Sequence, residues 1–217
     1  MKIYDSITVS YAEKNVRLEG EGHDPFTKER YAQFAAHLPK PRDQVSRILD
    51  VGANEGTGGT VLKQLHPNIE LYGLDCVDEW LKNLPVAYTG GIQALCTDIP
   101  VPDRHFSAIV AGEFLEHLYP RDVDTTLEEF QRVLEIGGRL LMTTPNPNSL
   151  KMKYKGKSVF GRSHLTQHHP DSMHTRLKMH GFGRIRFYGS GRATRIVGEH
   201  FPFLSVYGSY LVTADKW

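Results

Sequence analysis

The stretch Ile48-Leu-Asp-Val-Gly-Ala-Asn-Glu-Gly-Thr-Gly-Gly-Thr-Val-Leu62 constrains this chain more than any other. A short apolar run ends in Asp50, a glycine-rich turn follows, and Val61, Leu62 and Leu65 continue at helical spacing. That order is strand, tight turn, helix: the opening of a nucleotide-binding βαβ unit. Gly52 and Gly56 bracket the turn, and without a Cβ they permit close approach and unusual dihedrals. Backbone N–H groups at the start of such a helix attract an anionic group.

A glycine turn alone is a weak signal, and three features downstream strengthen it. Leu71-Tyr-Gly-Leu-Asp75 reads as a second strand ending in an acid about 25 residues on, where a carboxylate can accept both hydroxyls of a ribose. Ala94-Leu-Cys-Thr-Asp98-Ile99 reads as a third strand, whose acid can meet an adenine amino group. Phe106–Gly112 reads as a fourth, running into Glu113-Phe-Leu-Glu116-His117. On a helix, Glu113, Glu116 and His117 stand at i, i+3 and i+4 and project from one face. Two carboxylates and an imidazole so placed can bind Mg²⁺, Mn²⁺ or Zn²⁺. Two other readings stay open: His117 as a general base without metal, and a purely structural helix face.

Asp50-x-Gly52-x-Asn54-x-Gly56, Asp75, Asp98 and Arg132–Asn146 together resemble the ordered motifs of the class I S-adenosylmethionine-dependent methyltransferases, over roughly residues 45–215. Asn54 replaces the glycine usual in that family. Asn is the non-glycine residue that best tolerates a left-handed backbone, and its presence removes the glycine spacing of a dinucleotide dehydrogenase. The resemblance implies that Asp50, Gly52, Ala53, Asn54 and Gly56 hold the methionine end of the cofactor. It implies that Asp75 takes the ribose, that Cys76 and Val77 flank the adenine, and that Asp98 and the Ile99 backbone meet its edge, with Glu113 at the rim. Glu-x-x-Glu-His also resembles a motif of the ubiquinone-biosynthesis O-methyltransferases and of the small-RNA terminal 2′-O-methyltransferases. In the latter a downstream histidine completes a metal site, and His164, His168 and His169 are available here. His164 matches a histidine of the small-molecule branch, and His169 precedes Pro170 where a Ser or Thr cap is usual. His117, His164 and His169 are therefore the catalytic candidates. Tyr4-Asp5 and Tyr11 resemble an aromatic N-terminal segment that covers the cofactor in relatives.

Composition is that of an ordinary globular chain, with 40% hydrophobic and 24% charged residues over 217 positions. No apolar run approaches the ~18 residues that span a bilayer, and the N-terminus lacks a signal-peptide core. Cys76 and Cys96 form no close metal or redox spacing, and a reducing cytoplasm is the expected setting. The net charge of +1 hides an asymmetry. Residues 1–150 hold 14 Lys and Arg against 22 Asp and Glu, whereas residues 151–217 hold 12 against 3. Lys151, Lys153, Lys155, Lys157 and Arg162 follow the fifth strand directly. Charge runs are commonly solvated surface. The functional alternative is a positive wall attracting an anionic acceptor, such as a phosphorylated or nucleotide-linked sugar, a phospholipid-linked glycan or RNA.

Periodicity predicts strands near 47–51, 70–75, 92–97, 107–111, 137–144, 184–189 and 206–214. It predicts helices over Pro25–Leu38, 57–66, 78–84, 121–135 and 170–180. The expected fold is α/β and Rossmann-like: seven strands, mostly parallel, the last antiparallel, with helices on both faces. One domain is expected, with residues 1–44 as an N-terminal cap and 45–217 as the core. The resemblance implies an O-methyltransferase that uses S-adenosylmethionine, and optionally a divalent metal, on a hydroxyl of a sugar, glycan or other small metabolite. Small-RNA 2′-O-methylation is the alternative, weakened by the small size and the lack of an RNA-binding domain. A cofactor-binding protein without catalysis is a second.

Overall fold

In the computed structural model the described residues are Tyr11, 26–40, 45–161 and 163–217. Tyr4, Asp5, the predicted helix start at Pro25, and Arg162 lie outside them. The elements run α1 (Thr27–His37), β1 (Arg47–Val51), α2 (Thr57–Leu65), β2 (Glu70–Asp75), α3 (Asp78–Lys82) and β3 (Gly90–Gln93). They continue with β4 (Phe106–Gly112), α4 (Pro120–Val133), β5 (Leu134–Pro145), α5 (Leu150–Tyr154) and α6 (Pro170–Met179). Last come β6 (Phe182–Ser190), α7 (Thr194–Val197) and β7 (Ser209–Lys216). Two single 3₁₀ turns cover Leu115–His117 and Leu204–Val206.

The strands form one sheet in the order β3-β2-β1-β4-β5-β7-β6. β1 pairs in parallel with both β2 and β4, whereas β7 runs antiparallel to β5 and β6. The order reverses beside β1, and in open α/β sheets the ligand crevice lies at such a point, beyond the carboxyl ends of the strands. Strand alternation divides the core in two. Leu49, Val51, Ile109, Ala111, Leu140 and Met142 face α4 and α6 through Leu127, Phe130, Met173 and Leu177. Ile48, Ala108, Val110 and Leu141 face α1 and α2 through Tyr31, Phe34 and Leu62. Near-continuous apolar runs in β1 and β4 follow from this double cover.

Several boundaries differ from the sequence expectation, β6 and β7 by two or three residues at their starts, and two shifts have a clear cause. β3 ends at Gln93, so Ala94–Asp98 is not strand. Its apolar run marks side chains that pack inward beside the sheet: Cys96 is buried in the core, and Asp98 N–H closes a turn on Leu95 O at 3.1 Å. β5 begins at Leu134, earlier than predicted, because the ladder with β4 carries an irregularity between Phe106 and Ala108 that absorbs Glu135–Gly138.

α2 contains Gly58 and Gly59 in its first turns, both buried. A Cβ at 58 would stand 2.3 Å from the Tyr31 ring, and one at 59 would stand 2.0 Å from the Tyr88 hydroxyl. Two tyrosine side chains therefore pack directly on the helix backbone. Gly58→Ala should destabilise the fold by about 1–3 kcal/mol through this overlap, despite the ~1 kcal/mol by which Ala exceeds Gly in helix propensity. Urea denaturation of wild type and variant reads the sign; a more stable variant would mean that Tyr31 has room to move.

Candidate active site

At the end of β1 the chain places Asp50 completely out of solvent. Tyr31 Oη donates to its Oδ1 at 2.6 Å and Tyr88 Oη to its Oδ2 at 2.5 Å. These are the two rings that Gly58 and Gly59 admit. Burial raises the Asp50 carboxyl to about 7, the tyrosine hydroxyls oppose that rise, and Asp75 adds to it. With both oxygens engaged below the turn, Asp50 does not line the cleft, contrary to its expected contact with the ligand.

The turn itself is braced against β2. Gly52 and Ala53 N–H donate to Leu74 O at 2.8 and 3.3 Å, and Asn54 N–H donates to Asp75 Oδ2 at 3.2 Å. Those three N–H groups are engaged within the protein. The part of the turn still able to receive an anion is the helix start, where Thr57 and Gly58 lie at the cleft wall. Asn54 adopts φ 47°, and its side chain donates to Gly52 O at 2.9 Å, so the departure from glycine is accommodated. Gly52 has φ 69° and packs under Phe114, whose ring carbon would meet a Cβ at 2.8 Å.

The resulting cleft encloses about 1010 Å³. One wall is Gly52–Glu55 with Thr57 and Gly58; a second is Leu74, Asp75, Cys76 and Trp80; a third is Ala94–Thr97; and Gly112–Phe114, His117 and Leu118 close the far end. Asp75 is 5% exposed, and its Oδ1 also accepts from Val77 N–H at 3.0 Å. Burial raises its carboxyl above the ordinary value while the N–H groups of Val77, Asn54 and Cys76 hold it down. Burial pushes the Cys76 thiol up to about 12, with Asp75 contributing. Asp98 is exposed and lies outside the cleft. Ile99 is 1% exposed and gives its N–H to Glu129 Oε2 at 2.8 Å, so that N–H, expected at the adenine edge, is already engaged. Tyr11 lines the cleft, donating to Asp122 Oδ2 at 2.7 Å and accepting from Tyr119 N–H at 3.0 Å.

Beyond β4, the expected helix face is not formed. Only Leu115–His117 makes a 3₁₀ turn, and Glu113 precedes it with φ 52°. The Glu113 N–H is held by Thr143 O at 3.0 Å, and its carboxylate lies 4.0 Å from Arg30. The ligand atoms that converge, all within 4.8 Å of one another, are those of Glu116, His117 and His164, and Glu113 is not among them. Glu116 is fully buried. Its Oε2 accepts from Thr144 Oγ1 at 3.1 Å, and its Oε1 has no hydrogen-bond partner. Burial drives this carboxyl well above the ordinary value, and Glu113 adds to the effect. His117 Nδ1 lies 3.2 Å from Ser163 O, and His164 Nδ1 lies 3.0 Å from Val159 O. With Nδ1–H donated to a carbonyl, each ring carries its lone pair on Nε2. Burial and the neighbouring His164 lower His117 to about 4.

His169 does not join this group. Its Nδ1 contacts Asn148 Oδ1 at 3.1 Å at the head of α6. His168 is buried with Nε2 2.9 Å from Thr166 Oγ1, and burial lowers it to about 4. Tyr31, Tyr88, Thr144 and Phe114 escaped the sequence reading. The paired Gly58-Gly59 inside a helix was the one signal for the two tyrosines. Lys151–Lys157 lie on α5 and the segment after it, away from the cleft lining.

A glycine turn after β1, an acid ending β2 and a reversed seven-stranded order define a nucleotide-cofactor cleft in a Rossmann-like fold. Residues 49–142 match the family described as methyltransferase domain. A malonyl-[acyl-carrier protein] O-methyltransferase of Gallionella capsiferriformans is 29% identical over 164 residues, 68% of this chain and 55% of that protein. A demethylmenaquinone methyltransferase of Deinococcus radiodurans is 32% identical over 128 residues, 54% of this chain and 48% of that protein. A crystal structure of an S-adenosylmethionine-dependent methyltransferase from Archaeoglobus fulgidus superposes with a TM-score of 0.69 at 18% identity, covering 99% of this chain and 100% of that one. Over residues 49–142 the chain is thus similar to methyltransferase domains, and it shares the fold of the solved Archaeoglobus fulgidus methyltransferase. It spans about half the length of the curated relatives it matches.

The raised Asp50 carboxyl makes stability pH-dependent. The folded state keeps a proton that the unfolded chain releases near 3.8. This contribution is fully present below that value and is lost as pH rises toward about 7, with a slope of up to ~1.4 kcal/mol per pH unit. Asp50→Asn should flatten the fall between those limits. Parallel stability curves for the two proteins over that range would remove Asp50 as its source.

Proposed function

We propose that this chain transfers a methyl group from S-adenosylmethionine to an oxygen of a small-molecule acceptor, beside a divalent metal held by Glu116, His117 and His164. The observation that carries this reading is that His117 belongs both to the cofactor-sized cleft and to the two-histidine, one-carboxylate cluster. A volume of about 1010 Å³ has room for a nucleoside cofactor and the reacting end of a second molecule.

The cofactor, when bound, supplies a methyl group activated on a sulfonium, so the protein's work is positioning. Asp75 would receive the ribose hydroxyls, a charge-assisted pair of hydrogen bonds. The N–H groups at Thr57 and Gly58 would receive the amino-acid carboxylate. Cys76 and Ala94–Thr97 would wall the adenine, and Tyr11 would cover it.

The donor set fits a cation. Glu116 presents a buried oxygen without a hydrogen-bond partner, and both imidazoles are oriented by backbone carbonyls, as is usual for histidine ligands. Two nitrogens and a carboxylate suit Zn²⁺ or Mn²⁺ better than Mg²⁺. Such an ion lowers the pKa of a hydroxyl beside it. His117 as a metal-free base is the second reading, since it is neutral near pH 7 and reaches the cleft. Its proton affinity, lowered to about 4, suits a ligand better than a base working at neutral pH. An oxygen acceptor agrees with the name of the malonyl-[acyl-carrier protein] O-methyltransferase relatives. A sugar, glycan or other small metabolite hydroxyl is the acceptor class we favour.

Two measurements test these assignments. Asp75→Ala should weaken S-adenosylhomocysteine binding by about 1–3 kcal/mol in calorimetry; unchanged affinity in a folded variant removes Asp75 from the ribose. EDTA should abolish methyl transfer and leave S-adenosylhomocysteine affinity intact, with Zn²⁺ or Mn²⁺ restoring activity to wild type but not to Glu116→Gln or His164→Ala. Full activity in EDTA together with an inactive His117→Ala would establish the base reading instead.

A further inference from the structure

The basic C-terminal third separates into cations with partners and cations without. Arg176 meets Asp124, Arg184 meets Asp215 and the Trp217 ring, and Arg195 meets Glu29. Lys151, Lys153, Lys155 and Lys157 are all exposed, and none forms an ion pair among the described residues. They occupy α5 and the three residues after it, and apolar side chains stand between and beside them. Leu150 is 58% exposed and Tyr154 93%. α5 packs against the 3₁₀ turn Leu204–Val206, which Asn146 ties down by donating to Leu204 O at 2.8 Å. That turn adds Phe203, 64% exposed, and Val206, 39% exposed.

Lysines alone would be ordinary solvated surface, and single exposed apolar residues need no explanation. Four unpaired lysines interleaved with outward-facing aromatic and aliphatic side chains are a different combination. It matches the chemistry of an anionic bilayer surface, where phosphates meet the ammonium groups and apolar side chains enter the headgroup layer. RNA would satisfy the lysines and could stack on Tyr154, but Leu150 and Val206 offer nothing to phosphate or ribose. No helix among the described residues is long and apolar enough to cross a membrane, so the contact would be peripheral.

We propose that the α5 face, with the Leu204–Val206 turn, docks on an anionic lipid surface. The same segment runs directly into the proposed acceptor site, since Val159 O receives the His164 ring at 3.0 Å. Docking there would hold the segment that carries His164 next to the bilayer, which suits an acceptor dissolved in or anchored to lipid.

The test is sedimentation of the full chain with phosphatidylcholine vesicles, with and without phosphatidylglycerol. The chain should sediment with the anionic vesicles only, and less so as salt rises. Replacing Lys151, Lys153, Lys155 and Lys157 together by Gln should lower partition roughly tenfold or more. Tyr154→Ser combined with Phe203→Ser should lower it as well. Both variants should keep wild-type melting and S-adenosylhomocysteine affinity, which separates lost docking from lost folding. Equal sedimentation with both vesicle types, or undiminished partition of the lysine variant, overturns the proposal. So does lysine-dependent capture by single-stranded RNA in the absence of any vesicle binding.

Discussion

The carboxylate of Asp50 sits at the end of β1, out of water, between two tyrosine hydroxyls that arrive from α1 and from the loop before β3. Three separate pieces of chain are joined at that point, and the glycine turn is built over it. The rings reach Asp50 only because Gly58 and Gly59 leave the α2 backbone bare on that side. A buried carboxylate without such partners would be costly, and hydroxyl donors offset part of that cost. The arrangement explains why glycines stand inside a helix, where they are otherwise unfavourable by about 1 kcal/mol each. The start of α2 and the Asp75 carboxylate on β2, in contrast, lie at the cleft wall.

The second organising feature is electrostatic. Glu116 is held in the interior by its place in the Leu115–His117 turn, whose carbonyls receive the Leu165 and Thr166 N–H groups at 2.7 and 3.1 Å and the Thr166 hydroxyl. Those bonds fasten the histidine-rich loop to the end of β4. They bring His164 beside His117, although 46 residues separate them in sequence. The rings are 4.9 Å apart, centroid to centroid. The buried Glu116 carboxyl, driven upward by burial, and the His117 ring, lowered by burial, stand together there with His164. The proposed divalent cation would favour the ionised carboxylate and the free ring nitrogens together.

The cation distribution completes the picture. In the C-terminal third, the arginines are mostly committed to ion pairs or aromatic rings, and the lysines of α5 are not. Arginine's planar fork suits fixed partners, while lysine is a mobile, strongly hydrated charge. Arg184 ties β6 to β7 through Asp215, Arg176 ties α6 to α4 and Arg195 ties α7 to α1, while the lysines of α5 and the residues after it remain outward-facing charge.

Much of this was legible from residues alone. Apolar runs of five to seven residues separated by helical periodicity specified a parallel α/β sheet, because strands covered on both faces cannot alternate. The turn from Gly52 and the acid at 75 were legible as the walls of the cleft, since a tight strand-to-helix turn demands glycine and its near equivalents there. Local pattern also misled. Ala94–Asp98 reads as a strand, yet an apolar stretch beside a sheet edge packs inward without joining the ladder. Glu113, Glu116 and His117 read as one helix face, yet the chain leaves β4 through a left-handed residue and points Glu113 toward Arg30. What the sequence determined by itself was the order of elements and the cofactor turn, both products of short-range sterics and hydrophobic spacing. Only the tertiary structure decided which histidine meets Glu116, which tyrosines meet Asp50 and which lysines stand without partners. Those pairings depend on where distant segments are packed, and no periodicity along the chain encodes that distance.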